Sequence, residues 1–449
     1  MTDTRTTTSR GAPWRAVGSS AVVQVVVTGL SGLLGMVTAR LVIEQAGVAQ
    51  YAQYGLLSTL PSLVPFADLG MAAVVVNAVA GSAHANDDPA VRRTLTSAFR
   101  ILVGSGLTIV AVGVLLGALG WWPVLLGPGL LEGGALTATV CVVVLGIALP
   151  CGVGARILVG LGRNPLQTAL TGLTAPLVMA GVLVVLALGD SSFLALATYV
   201  ASAVVGVVLL VTAARLLRPQ VGAALRDVPR VRAVPGVRVF HLAWPMLVQM
   251  VSLPVAMQTG RILLSHQGTG LDLARYNLAA QLFGVVLAAV ATAGLALWPH
   301  FARARSESVK ASPFRASLVF TGAGIALALV LTALLPVVVP LVTDGAFGLG
   351  LPLVAAFVVF TVVQAAKYPV GMYMTDAAGL RAQVLPIVLM VPLNLGLTWW
   401  LIPHLGAAGP VWATAASVLV CQVVPNTLWV RRRLRRPAPA AGAGATPAE

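Results

Sequence analysis

The chain has 449 residues, of which 58% are hydrophobic and only 9% charged, and its mean hydropathy is +0.94. Ordinary soluble domains carry about 25% charged residues, so a water-soluble enzyme is excluded, and apolar runs recurring from residue 17 to residue 430 exclude a single anchor. The 28 Lys plus Arg outnumber the 13 Asp plus Glu and leave a net charge of +15; in a polytopic membrane protein that excess marks cytoplasmic loops and implies no nucleic-acid partner.

A membrane-crossing helix needs about 20 apolar residues. Cut at charged and Pro/Gly-rich breaks, the first half of the chain offers segments at roughly 17–43, 52–80, 94–119, 134–158, 165–188 and 192–214. The second half offers roughly 239–264, 273–300, 316–341, 349–376, 382–402 and 407–430. Open strands would leave backbone groups unpaired in lipid, so these runs read as helices. Their uniform apolarity is not the alternation of a membrane β-barrel. The expected fold is an all-α polytopic membrane protein with about twelve transmembrane helices in two six-helix lobes around a central cavity.

With the N-terminus inside, every basic residue except Arg40, Arg261, Arg275 and Lys367 falls on the cytoplasmic side. Both termini are therefore expected in the cytoplasm. The domain reading is a cytoplasmic N-terminus at 1–16, an N-terminal six-helix lobe at 17–214, and an Arg/Pro-rich cytoplasmic linker at 215–238. A C-terminal six-helix lobe follows at 239–430, then a basic and disordered cytoplasmic tail at 431–449. Cys141, Cys151 and Cys421 all sit in apolar runs, which argues against disulfides or a thiolate metal site. No His pair has metal-ligand spacing. There is no phosphate-binding glycine loop, no catalytic triad and no cofactor motif, so a non-enzymatic role is expected. Trp121, Trp122, Trp298, Trp399, Trp400 and Trp429 lie near helix ends and read as interfacial belts.

The halves echo each other. The first segment ends in Arg40-Leu-Val-Ile-Glu-Gln-Ala-Gly47 and the seventh in Arg261-Ile-Leu-Leu-Ser-His-Gln-Gly268, with Tyr54 and Tyr276 following in the next helices. Six helices per repeat make the repeats parallel, and such repeats in transporters typically rock about a site between them.

Three patches carry a family resemblance. Thr38–Leu56 with Pro65-Phe-Ala-Asp-Leu-Gly70, Leu158-Val-Gly-Leu-Gly-Arg-Asn164, and Pro392–Gly396 followed by Ile402–Thr414 resemble bacterial polysaccharide-export flippases. These belong to the multidrug/oligosaccharidyl-lipid/polysaccharide exporter (MOP) superfamily. The resemblance implies translocation of polyprenyl-pyrophosphate-linked oligosaccharide across the bacterial cytoplasmic membrane for surface polysaccharide biosynthesis. It implies as partners that lipid-linked substrate, membrane lipids and glycan-assembly enzymes. Two other readings stand beside it: a cation-coupled drug or metabolite antiporter of the same superfamily, and a non-transporting scaffold of a glycan-assembly complex or an enzyme of the same pathway.

Ionisable groups inside the membrane are functional candidates because burying them is costly. Asp68, about 24 Å into the second segment, is the candidate for ion coupling, with a capped structural carboxylate as the bland alternative. Lys367 is the one lysine inside an apolar run and offers a point charge for phosphate. Arg40 and Arg261, at matching helix ends, are expected to face each other across the lobes and to grip pyrophosphate. The alternatives are pairing of Arg40 with Glu44 one turn on and outward snorkelling of Arg261. Gln249, Gln258, Gln281, Asn77 and Asn394 are secondary cavity candidates, although amides in membrane helices more often bond between helices.

Overall fold

The computed structural model describes residues 12–63, 71–82, 84–230, 240–295, 297, 301 and 312–435. Asp68 and the 65–70 stretch, the side chain of Gln249, the 231–239 part of the linker, and residues 1–11 and 436–449 lie outside the described residues.

The first lobe begins with α1 (Ala12–Ala46), followed by α2 in two pieces, Val48–Leu57 and Met71–Gly81, and α3 (Pro89–Ala118). Next come α4 (Gly134–Ala148 continuing through Val153–Gly160), α5 (Asn164–Gly172 and Thr174–Ala187) and α6 (Leu196–Leu216). The second lobe has α7 (Phe240–Gln267), α8 (Gly270–Leu295), α9 (Phe314–Thr343), α10 (Leu351–Tyr373) and α11 (Ala377–Leu405). It ends with α12, which runs Gly409–Val418, a wide turn Leu419–Val423, then Val424–Arg435. Most of these stretches are individually long and apolar enough to cross a bilayer. Large apolar side chains such as Leu318, Val337 and Leu188 point outward, as a lipid-facing surface requires.

Helix ends run past the apolar stretches. α3 starts at Pro89 with Asp88 as its N-cap, its carboxylate accepting from the Ala90 N–H at 2.7 Å. Arg92 and Arg93 therefore sit in its first turns, where hydropathy alone predicts loop. The break in α2 has a local cause. Pro61 has no N–H to give to the carbonyl four residues back, and that carbonyl, Leu57 O, accepts instead from the buried Tyr199 hydroxyl at 2.6 Å. In α12, Pro425 likewise leaves Cys421 O without its helical donor. The chain answers with one wide turn in which the Val424 N–H reaches Leu419 O. Trp122 departs from the interfacial expectation: it is buried, and its Nε1 donates to Thr139 Oγ1 at 2.8 Å. Trp121, Trp399 and Trp400 are exposed.

One end of the bundle, where α3 begins and α6 and α12 finish, is arginine-rich; the other carries the α1–α2, α7–α8 and α9–α10 turns and is arginine-poor. At the arginine-poor end a single core runs through both lobes, joining Val42, Tyr51 and Leu56 to Leu278, Phe283 and Phe357. At the arginine-rich end the described core residues divide. Met71, Leu95, Phe99, Ile157, Leu209 and Val221 form one cluster within the first lobe. Phe301, Val370, Tyr373, Met374 and Val430 form another within the second. Among the described residues the lobes are thus closed at one end and separate at the other.

Candidate functional site

Three sets of polar contacts hold the arginine-poor end shut. The first joins α1 to α9: Arg40 Nε donates to Glu44 Oε1 at 2.6 Å, Nη1 to Leu341 O at 2.8 Å and Nη2 to Asp344 Oδ1 at 3.3 Å. The second joins the end of α7 to the short helix Trp122–Leu126 of the first lobe. There the Ser265 hydroxyl donates to Leu126 O and accepts from the Gly129 N–H, while the His266 ring lies between Ile262 O and Val124 O. The third stitches α2 to α7 and α8: Asn277 Nδ2 donates to Ala52 O at 3.2 Å, the Tyr51 hydroxyl to Gln281 Oε1 at 3.3 Å, and Arg261 Nη1 to Gly55 O at 3.2 Å. Gly55 is required here, because a Cβ would overlap the Asn277 amide.

Arg40 and Arg261 therefore engage different partners. Arg40, expected at the pyrophosphate, is instead held by two carboxylates at the closed end. The sequence difference that separates them is one turn on: Arg40 has Glu44 at i+4, and Arg261 has Ser265. Among the described residues no carboxylate pairs with Arg261. Its guanidinium lies 5.4 Å from the Tyr276 ring centre, and its Nε is buried without a hydrogen-bond partner. It borders a cavity of about 190 Å³ with Gln258, Tyr276, Phe357, Phe360 and Thr414.

Lys367 lines a second cavity of the same lobe, about 290 Å³, with Tyr368, Thr375, Gln383, Gln422 and Asn426. Its ammonium lies 5.5 Å from the Tyr368 ring centre, and no described carboxylate is within ion-pairing reach. Leu253 of α7 borders this cavity and Arg261 the other. Eight residues of helix separate them, so the two cavities meet α7 about 12 Å apart along its axis, the Lys367 cavity nearer the arginine-rich end. The wide turn of α12 holds Gln422, which packs its amide on Met390 Sδ at 2.9 Å and still borders the cavity. Such turns recur at functional sites.

The secondary candidates scatter. Gln258 lines the Arg261 cavity, Gln281 is spent on Tyr51 at the lobe interface, and Asn77 is exposed on α2. Asn394 is fully buried, its amide donating to Ala256 O at 2.8 Å and facing the Thr414 hydroxyl at 3.0 Å. The cavity-lining Gln383, Gln422 and Asn426 were missed by the sequence reading. Gln422 and Asn426 stand four apart in an apolar run, a spacing that places both amides on one helix face. Asp376, at the exit of α10, pairs with Arg433 at 2.8 Å. No described group of His, Cys, Asp and Glu has a metal-site arrangement.

No protein-family model matches this sequence, and no curated protein matches it. Solved structures do. The chain is similar to an inward-facing multidrug resistance MATE-family transporter of the MOP superfamily, with a TM-score of 0.60, 16% identity, and coverage of 92% of this chain and 98% of that one. It is similar to a MOP-superfamily transporter from Pyrococcus furiosus described as having a binding pocket of reverse polarity (TM-score 0.64, 17% identity, 95% and 96% covered). It is also similar to the lipid II flippase MurJ in an inward closed conformation (TM-score 0.63, 12% identity, 91% and 87% covered). The chain is a multi-pass membrane protein with the fold of MOP-superfamily transporters.

Proposed function

We propose that this protein carries a polyprenyl-pyrophosphate-linked oligosaccharide from the inner to the outer leaflet of the bacterial cytoplasmic membrane by alternating access, for surface polysaccharide synthesis. The arginine-rich end faces the cytoplasm, by the positive-inside rule, and both termini lie there. The observation that carries the reading is the pair of cations, Arg261 and Lys367, that border cavities of one lobe without a described carboxylate partner. An uncompensated charge in a membrane interior is expensive, and a ligand that brings phosphates supplies the missing anion. An arginine fork and a lysine point charge are both suited to phosphate oxygens. Gln383, Gln422 and Asn426 add amide donors and acceptors of the kind that sugar hydroxyls use.

Lobes joined at one end and separate at the other describe a carrier open toward the cytoplasm. The substrate's sugar and pyrophosphate enter between the lobes while the prenyl chain stays in lipid. Asp68 remains the proposed coupling carboxylate. The test is export of surface polysaccharide in strains carrying Arg261→Ala, Lys367→Ala or Asp68→Asn at equal protein level. Loss of export in the two cation variants supports the assignment. Full export in the double cation variant contradicts it. Drug resistance that depends on Asp68 while glycan export does not would favour the antiporter.

A further inference from the structure

Arg261 has two roles in one side chain, because it borders the cavity and also bonds the opposite lobe through Gly55 O. We propose that the oxyanion site at Arg261 is complete only while the arginine-poor end is closed, so that a pyrophosphate-bearing ligand and the lobe seal stabilise each other. The proposal rests on the reading above that this cavity receives an anion.

A guanidinium carries five N–H donors in a fixed plane, and a carboxylate or phosphate takes two of them along one edge. Nη1 is engaged by Gly55 O, while Nε is buried with no acceptor. Nη1 is thus fixed on Gly55 O while the residue still borders the cavity, so a ligand can meet the guanidinium without Nη1 releasing Gly55. The Tyr276 ring, 5.4 Å from the guanidinium carbon, supports the same orientation. Opening the arginine-poor end draws α2 away from α7 and α8 and removes Gly55 O. The side chain then loses the anchor that orders it. A long flexible arginine so released pays more ordering entropy for each bond it makes to the ligand, and affinity falls on the side where the ligand must leave.

Such coupling is reciprocal: if closure raises affinity for the anion, the anion must favour closure. The experiment uses the full-length protein in nanodiscs, with Cys141, Cys151 and Cys421 replaced by alanine and Ala52→Cys as a reporter. Ala52 is buried at the seal, and its carbonyl accepts from Asn277. The probe is farnesyl pyrophosphate, its binding measured by calorimetry alongside the rate of maleimide labelling at position 52. In the Arg261-containing protein the probe is expected to slow labelling roughly fivefold or more. In Arg261→Gln, basal labelling rises and the probe gives no protection; Arg261→Lys, which keeps the charge but not the fork, shows intermediate protection. Probe binding that depends on Arg261 but leaves labelling unchanged, or accelerates it, overturns the coupling and leaves the anion site standing. Absence of probe binding to the Arg261-containing protein overturns both.

Discussion

Arg40 of α1 and Asp344 at the end of α9 meet across the two lobes at 3.3 Å, with Glu44 on the same guanidinium at 2.6 Å. Asp344 takes a left-handed backbone at φ 50° where α9 ends, and its carboxylate meets Arg40 of α1. Both groups are substantially solvent-exposed, 38% and 66% for the two side chains, so the pair is worth about 0.2–1 kcal/mol. Asp344→Asn is therefore expected to raise the open fraction of the arginine-poor end by up to about fivefold. The readout is electron-spin distance between labels at the exposed positions Trp121 and Leu351. Arg40→Gln should shift the same distance further, since it also gives up the bond to Leu341 O.

His266 adds a further contact to the same seal. Its Nδ1 lies 2.8 Å from Ile262 O and its Nε2 3.0 Å from Val124 O. The ring thereby ties the end of α7 to the short helix Trp122–Leu126 of the first lobe. His266→Ala removes that tie and is expected to lengthen the spin-label distance; an unchanged distance in the variant would place closure in the other contacts.

Gly55 is a position where the seal tolerates no side chain. Gly55→Val places methyl groups on the Asn277 amide and pushes α2 from α8. The expected outcome is a protein that folds, labels rapidly at position 52, and exports poorly. Adding Asn277→Ala removes the overlapping amide and should restore part of the protection. Restoration fails if the damage is to α2 itself.

At the arginine-rich end, Asp227 closes the short helix Gln220–Asp227 onto the first lobe. Its buried carboxylate pairs with Arg92 at 2.6 Å, and Arg100 donates to the carbonyls of Asp227 and Val228. Arg92 is 44% exposed, which screens the pair, so Asp227→Asn is expected to cost about 1–2 kcal/mol. Thermal unfolding in detergent measures it. The double variant Asp227→Asn with Arg92→Gln should lose less than the sum of the two single changes, because one pair accounts for both.

The helices were legible because lipid enforces one backbone solution and apolar length counts the crossings; their ends were not, because polar turns such as Pro89–Arg93 continue the helix beyond the apolar stretch. What the sequence hid follows from partners distant in the chain. Arg40 and Arg261 sit in matching motifs, yet one is neutralised by Asp344, some 300 residues away, and only the neighbouring Glu44 hinted at it. The breaks at Pro61 and Pro425 are readable from proline alone, but Tyr199 as the donor that repairs the first is not. Trp122 reads as interfacial from its place near a helix end, and only the fold reveals Thr139 beside its indole N–H. Lys367 was visible as a lone charge in an apolar run. The amides around it come from α11 and α12, and assembling them needs the packing of three helices.

The measurement that bears most directly on the central claim is the leaflet distribution of polyprenyl-pyrophosphate oligosaccharide after the protein is depleted. The account predicts accumulation on the cytoplasmic leaflet, reversed by the unaltered protein and not by Lys367→Ala or Arg261→Ala. Unchanged lipid-linked glycan and unchanged surface polysaccharide after depletion would contradict it.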